Sequence, residues 1–204
     1  MGSSYFIDHQ LDPRDADLSM IFKTVGHDLP LSWMPYAGLL ARDLGIPALK
    51  DIVFVTGAES NADLATLLDR VPLPERLKLI ATLNRYIRNV SPQDAFSRNR
   101  VPFLFFSCGR WEHHQEPRDD LDLLNYAKMA RLAHYSFDLT CQFDTEPSVP
   151  GHREPEETVA FEASTFKKSL GELYPLLCEW AGVNDMDDRE ALDRMAAQIL
   201  AAQI

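Results

Sequence analysis

The chain has 204 residues, of which 46% are hydrophobic and 10% are aromatic, and its formal net charge is −11. This composition excludes a disordered chain, and the length suits one large domain or two small ones. The negative charge argues against DNA or an anionic membrane as the main partner, because phosphate groups are neutralised by clustered lysines and arginines. The longest apolar run, VPFLFF at 101–106, is much too short to cross a membrane.

The N-terminal segment and the cysteines indicate where the protein resides. No basic region followed by an apolar run is visible at the start of the chain, so we expect no secretory signal. The three cysteines, Cys108, Cys141 and Cys178, are widely spaced, and no pair has the spacing of a zinc or redox motif. These features predict reduced thiols and a cytoplasmic protein.

The N-terminal half is predicted to be mainly helical. A polar, extended lead-in over residues 1–17 is followed by four segments with helical patterns, at residues 18–25, 31–45, 62–71 and 72–90. The last of these has the clearest apolar stripe of the chain. Residues 49–56 fit a buried strand and the end of a helix equally well, so their structure stays open. We therefore expect a helical subdomain over residues 18–95.

The C-terminal half is predicted to contain a small antiparallel sheet. Residues 101–107 include a buried apolar run, and residues 134–144 and 158–164 alternate apolar and polar side chains as half-buried strands do. Three helical segments are expected to pack on these strands, at residues 117–133, 164–182 and 187–203. The predicted fold class is thus α+β, with an α+β subdomain over residues 96–204 that shares one core with the helical subdomain.

The segment FLFFSCGRWEHHQE, residues 103–116, holds the densest reactive chemistry. Cys108 could act as a nucleophile, with His113 or His114 as its base and Arg110 lowering the pKa of the thiol. Such a site would define a hydrolase or a transferase. However, a phosphatase loop needs arginine where this chain has His114. A buried structural cysteine followed by a polar loop is therefore favoured, and we lean towards a protein that is not an enzyme.

No metal or cofactor site is predicted. His113 and His114 are adjacent, so their side chains point apart and rarely ligate one ion together. The zinc-binding spacings His-x-x-x-His and His-Glu-x-x-His are absent from this segment. The turn VFVTGAES contains a single glycine, Gly57, and no lysine, so it lacks the pattern of a phosphate-binding loop.

The distribution of charge suggests a binding function. Residues 71–110 carry a net charge of +5 between two acidic flanks, and Arg85, Arg88 and Arg100, with Trp111 beside them, form the predicted partner-binding set. We expect a non-enzymatic protein-binding factor, such as an adaptor, a chaperone-like factor or an accessory subunit, that binds an acidic surface of another protein.

Three alternatives to this binding function are left open. The arginines could instead pair internally with the acidic C-terminal half. The protein could be the Cys108-centred enzyme. A third alternative is a helix-turn-helix DNA-binding regulator over residues 31–90, although nucleic acid fits the overall charge poorly. A membrane partner is not expected, and a homo-oligomer stays open.

Overall fold

The structure is a computed structural model, and it describes residues 2–12, 15–29, 50–87, 92–109, 116–145 and 151–201. Within these ranges four strands form one sheet: β1 (Ser19–Lys23), β2 (Ile52–Thr56), β3 (Lys78–Thr82) and β4 (Phe103–Ser107). Their order is β1-β4-β2-β3. β1 pairs with β4 and β2 pairs with β3 in parallel, whereas β2 and β4 are antiparallel. The sheet is therefore mixed.

The same ranges contain seven α-helices: α1 (Gly2–His9), α2 (Leu64–Arg70), α3 (Gln93–Arg98), α4 (Tyr126–Thr145), α5 (Val159–Leu170), α6 (Tyr174–Ala181) and α7 (Arg189–Ala201). Short 3₁₀ turns lie at Ala58–Ser60, Asn84–Tyr86, Leu121–Leu123, Pro155–Thr158 and Gly171–Leu173. In the described part of the chain, no helix has both the length and the apolar character that a membrane span requires.

Helices cover both faces of the sheet. On one face, Ile52 and Ile80 pack in an apolar cluster with residues of α5, α6 and α7. On the other face, Val53, Leu79 and Phe106 pack in a second cluster with residues of α2 and α4. Because successive side chains of a strand point to opposite faces, a sheet covered on both sides needs strands that are apolar throughout.

The predicted division into a helical N-terminal half and an antiparallel C-terminal sheet is wrong. Three of the four strands come from the N-terminal half, and the open stretch 49–56 contains β2. Residues 134–144, predicted as a strand, lie in α4, and residues 158–164 lie at the start of α5 and the turn before it. Residues 101–107 do contain a strand, β4, but it pairs with β1 and β2 inside the mixed sheet.

The double coverage of the sheet explains the missed strands. The helices predicted over residues 18–25 and 72–90 contain β1 and β3 instead. In β3, Leu79 faces one helical layer and Ile80 faces the other, so no two-residue period is visible in the sequence. The helix predicted over residues 31–45 lies outside the described residues.

The apparent alternation in α4 has a different origin. Leu132, Tyr135 and Leu139 are buried there, and their spacing of three and four residues is that of one helix face,. Phe137, which completes the alternating pattern in the sequence, is 67% exposed. The strand prediction therefore mistook an exposed aromatic residue for a core residue.

One glycine fixes the turn that follows β2. Gly57 has a φ of +94°, a left-handed backbone conformation that residues other than glycine rarely adopt. A Cβ atom at this position would lie 2.4 Å from the carbonyl oxygen of Phe103 and 2.6 Å from its ring. The close approach places the 3₁₀ turn Ala58–Ser60 against the start of β4.

Candidate functional site

A polar cleft of about 700 Å³ opens at the carboxyl ends of β2 and β3. The turns that follow these two parallel strands form one wall. The other lining residues are Ala16, Asp17, Ser97, residues 100–103, Gly151 and His152. The polar residues that line it are Asp17, Glu59, Ser60, Asn61, Asn84, Ser97, Arg100 and His152. The carboxyl edge of parallel strands is a frequent position for ligands in open sheets.

Glu59 is the most unusual of these residues, because this acidic residue is only 8% exposed. One oxygen, Oε1, accepts a 2.7 Å hydrogen bond from the backbone N–H of Asn84. The other oxygen, Oε2, is buried and has no hydrogen-bond partner among the described residues. Burial is the largest influence on this group, and it raises the pKa of Glu59 above its ordinary value,.

Nearby charges act on Glu59 in opposite directions. The negative charge of Glu162 raises its pKa further, whereas the Asn84 hydrogen bond and the charge of His152 lower it. The net direction is upward, so the neutral carboxyl is favoured more strongly than in an exposed glutamate. A carboxyl group in a cleft whose pKa is shifted by burial and by neighbouring charges is typical of functional sites.

Asn84 supplies a second buried acceptor. Its side-chain Oδ1 is also buried and has no hydrogen-bond partner in the described part of the chain. Leaving such an oxygen without a donor costs on the order of 1–3 kcal/mol. Two acceptors of this kind, Glu59 Oε2 and Asn84 Oδ1, belong to residues that line the cleft, and buried acceptors in folded proteins are generally paired with a donor.

The cleft also has basic side chains. Arg100 follows α3, its side chain is exposed, and its backbone is left-handed with a φ of 57°. His152 follows Gly151, and its charge acts on Glu59. The cleft thus combines hydrogen-bond acceptors with the Arg100 guanidinium and the His152 imidazole, which can bind a molecule that has both hydroxyl or amine donors and an anionic group.

A largely buried ion pair between Arg189 and Glu162 holds a charge that acts on Glu59. The Arg189 guanidinium lies 2.6 Å from Oε1 and 3.1 Å from Oε2 of Glu162, and the Thr158 hydroxyl donates a 2.6 Å hydrogen bond to the same carboxylate. This network joins α7 to α5 and to the turn Pro155–Thr158. It fixes the position of the Glu162 charge that acts on Glu59.

Cys108 lies at the opposite end of β4 from the cleft. Its Sγ is buried, 3.1 Å from Nζ of Lys128, which is itself fully buried and 3.2 Å from Oδ1 of Asp28. Burial raises the pKa of the Cys108 thiol, although the Lys128 charge opposes this shift. Arg110, His113 and His114 lie outside the described residues. The cation beside the thiol is thus Lys128, which sequence reasoning missed.

The predicted partner-binding arginines have different environments. The Arg85 guanidinium lies 2.5 Å from Oδ1 and 2.7 Å from Oδ2 of Asp193 in α7, while Arg100 lines the cleft. Arg88 and Trp111 lie outside the described residues. A joint binding role for these four residues stays a prediction.

The predictions about a metal site and about DNA binding concern residues that the structure describes only in part. In the described ranges no group of three or more His, Cys, Asp and Glu side chains is placed to hold a metal ion. The helix-turn-helix alternative needs consecutive helices within residues 31–90, and the part described there, residues 50–87, contains β2 and β3 on either side of α2.

Searches against protein families, curated proteins and solved structures found no match for this chain. The interpretation of the cleft therefore depends on its own geometry.

Proposed function

We propose that the protein binds a small polar molecule in the cleft at the ends of β2 and β3. The ligand donates hydrogen bonds to Glu59 and Asn84 and presents an anionic group to Arg100 and His152. The observation that carries this proposal is the pair of buried oxygens, Glu59 Oε2 and Asn84 Oδ1, that have no donor among the described residues.

A buried acceptor is destabilising until a donor reaches it, so a ligand that supplies donors recovers free energy that the unliganded protein lacks. A donor to Glu59 also favours the ionised carboxyl, because a hydrogen bond to the charged form stabilises that form. Binding should therefore lower the pKa of Glu59 and release a proton where that carboxyl is still neutral.

The test is a panel of sugar phosphates, nucleoside monophosphates and hydroxy acids, measured by isothermal titration calorimetry. Ribose 5-phosphate represents the expected chemistry, with ribose and inorganic phosphate as its separate parts. We expect a member of the panel to bind more tightly than its parts, and Glu59→Ala to abolish that binding. Glu172→Gln, a change at an exposed residue of the turn Gly171–Leu173, is the control.

Two results would overturn the proposal. One is a panel in which no member binds. The other is binding that Glu59→Ala leaves unchanged, since the ligand would then lie elsewhere. Circular dichroism of the Glu59→Ala variant shows whether the fold is intact, and Asn84→Ala provides a second, independent removal of an acceptor.

A protein-binding role, as expected from the sequence, is the second candidate function. What supports it is a pair of large exposed aromatic residues, Phe22 at 46% and Phe137 at 67% exposure. Exposed aromatic residues that adjoin one groove often mark a site of protein interaction. The prediction that Arg85 and Arg88 bind an acidic partner is tested by reversing their charges. This change should abolish partner capture without a large loss of stability.

A further inference from the structure

A groove of about 820 Å³ runs between β1 and α4. Met20 and Phe22 of β1 and Phe137 and Thr140 of α4 line it. The Phe22 ring stacks on Phe106, with centroids 5.2 Å apart, so its position is fixed by the sheet and its outer surface faces the groove region. A rigid apolar surface of this kind can receive side chains of a partner without rearranging.

The position of β1 in the sheet adds a second binding element. β1 is the terminal strand in the order β1-β4-β2-β3, and among the described residues only β4 pairs with it. A terminal strand presents N–H and C=O groups along its outer edge, and an extended peptide can pair with such an edge. The groove is therefore lined by side chains of a terminal strand of the sheet.

The charge of the groove indicates the chemistry of its occupant. Asp15, Asp17 and Asp144 are the charged side chains that line it within the described ranges. A second copy that placed the same groove against this one would bring these like charges together. A partner segment with lysine or arginine side chains would instead be attracted to it.

We infer that the groove between β1 and α4 binds an extended, basic segment of another protein, whose apolar side chains contact Phe22 and Phe137 and whose cations pair with Asp15, Asp17 and Asp144. This inference rests on the second candidate function, protein binding, and names the class of partner. The partner inferred here is basic, whereas the sequence predicts that a basic patch of this protein binds an acidic partner.

The probe is a fluorescein-labelled synthetic peptide of alternating lysine and valine, compared with a matched peptide of alternating glutamate and valine by fluorescence anisotropy. The lysine peptide should bind, more weakly at high salt, and the glutamate peptide should not. Phe137→Ser and Asp144→Lys should each weaken binding about tenfold or more, as loss of an aromatic anchor or reversal of a charge does.

Matched controls are available on the turn Leu121–Leu123. Leu121→Ser removes a hydrophobic side chain that is 72% exposed outside the groove, and Asp122→Lys reverses the charge of an exposed aspartate there. Both should leave peptide binding unchanged. Asp144 is preferred to Asp17 for the charge reversal, because Asp17 lines the polar cleft as well as the groove.

Several outcomes would overturn the inference. It fails if both peptides bind equally, if Phe137→Ser has no effect, or if the protein forms a dimer that Phe137→Ser dissociates. A photo-crosslinker at position 137 distinguishes the failure of the inference about a basic partner from the failure of protein binding as a function. Crosslinking to a partner segment that lacks basic residues would preserve protein binding and contradict the inference about its chemistry.

Discussion

A single 2.7 Å hydrogen bond, from the backbone N–H of Asn84 to Oε1 of Glu59, joins the turns that follow β2 and β3. It holds the carboxyl group in the wall of the cleft. One oxygen of the carboxyl is thereby occupied, and the other is left without a donor among the described residues. The parallel pairing of β2 with β3 is what brings these two turns together.

The raised pKa of Glu59 makes the stability of the protein depend on pH. A carboxyl whose folded pKa exceeds its unfolded value contributes stability in full below the unfolded value and loses it as pH rises through the folded value. Glu59→Gln removes this dependence. We expect the free energy of unfolding of the variant, minus that of the wild type, to increase as pH rises above the ordinary value of 4.5. Urea unfolding from pH 4 to pH 7 measures it, and a decreasing difference would contradict the assignment.

Removing one partner of the Arg189–Glu162 pair should lower the free energy of unfolding substantially. The Glu162 side chain is buried, at 3% exposure, and that of Arg189 is largely buried, at 11%, so Arg189→Met leaves a buried carboxylate without its cation. Removing one partner of a buried pair typically costs about 3–5 kcal/mol. The double variant Arg189→Met/Glu162→Gln, which leaves no net charge, should recover most of this loss in urea unfolding. Equal instability of the single and double variants would show that the pair is not coupled.

The Arg85–Asp193 pair should contribute little to the free energy of unfolding. Both side chains are almost half exposed, and ion pairs of this kind are worth roughly 0–1 kcal/mol. Arg85→Asp should lower the free energy of unfolding only slightly, and the exchange Arg85→Asp/Asp193→Arg should restore it. A loss of several kcal/mol on Arg85→Asp would instead show that the arginine is essential to the docking of α7, against a role in partner binding.

Cys108 should be unreactive in the folded protein. It is buried and its thiol pKa is raised by burial, whereas Cys141 is exposed. Iodoacetamide at neutral pH should label Cys141 and spare Cys108, and urea should make both reactive. Peptide mass spectrometry distinguishes the sites. Rapid labelling of Cys108 in the native state would revive the hydrolase or transferase alternative, in which this thiol is the nucleophile.

Local patterns in the sequence predicted some of these elements. The helix expected at residues 62–71 is present as α2, and the one at residues 187–203 contains α7, because each has a polar and an apolar face. β3 was missed because both its faces are covered. The alternation in α4 misled because Phe137 is an exposed aromatic residue, and a sequence pattern does not distinguish a core aromatic residue from one on a binding surface.

The cleft was not predictable from such patterns. Glu59 and Asn84 are 25 residues apart, and they meet only because β2 and β3 are parallel neighbours. The sequence contains only a weak indication of this site. Each of the two residues closely follows an apolar run, and Glu59 also follows the turn at Gly57. Asn84 was assigned to a helix over residues 72–90, which concealed its position at the end of a strand.

The proposed ligand site is tested most directly by the pKa of Glu59, measured by NMR on protein labelled with ¹³C at the glutamate carboxyl groups. Glu59→Gln identifies its signal. We predict a pKa above the ordinary value of 4.5 in the free protein, and a lower pKa when the tightest-binding member of the ligand panel is added. A pKa at or below 4.5 that the ligand leaves unchanged would contradict both the burial of this carboxyl group and its role in the cleft.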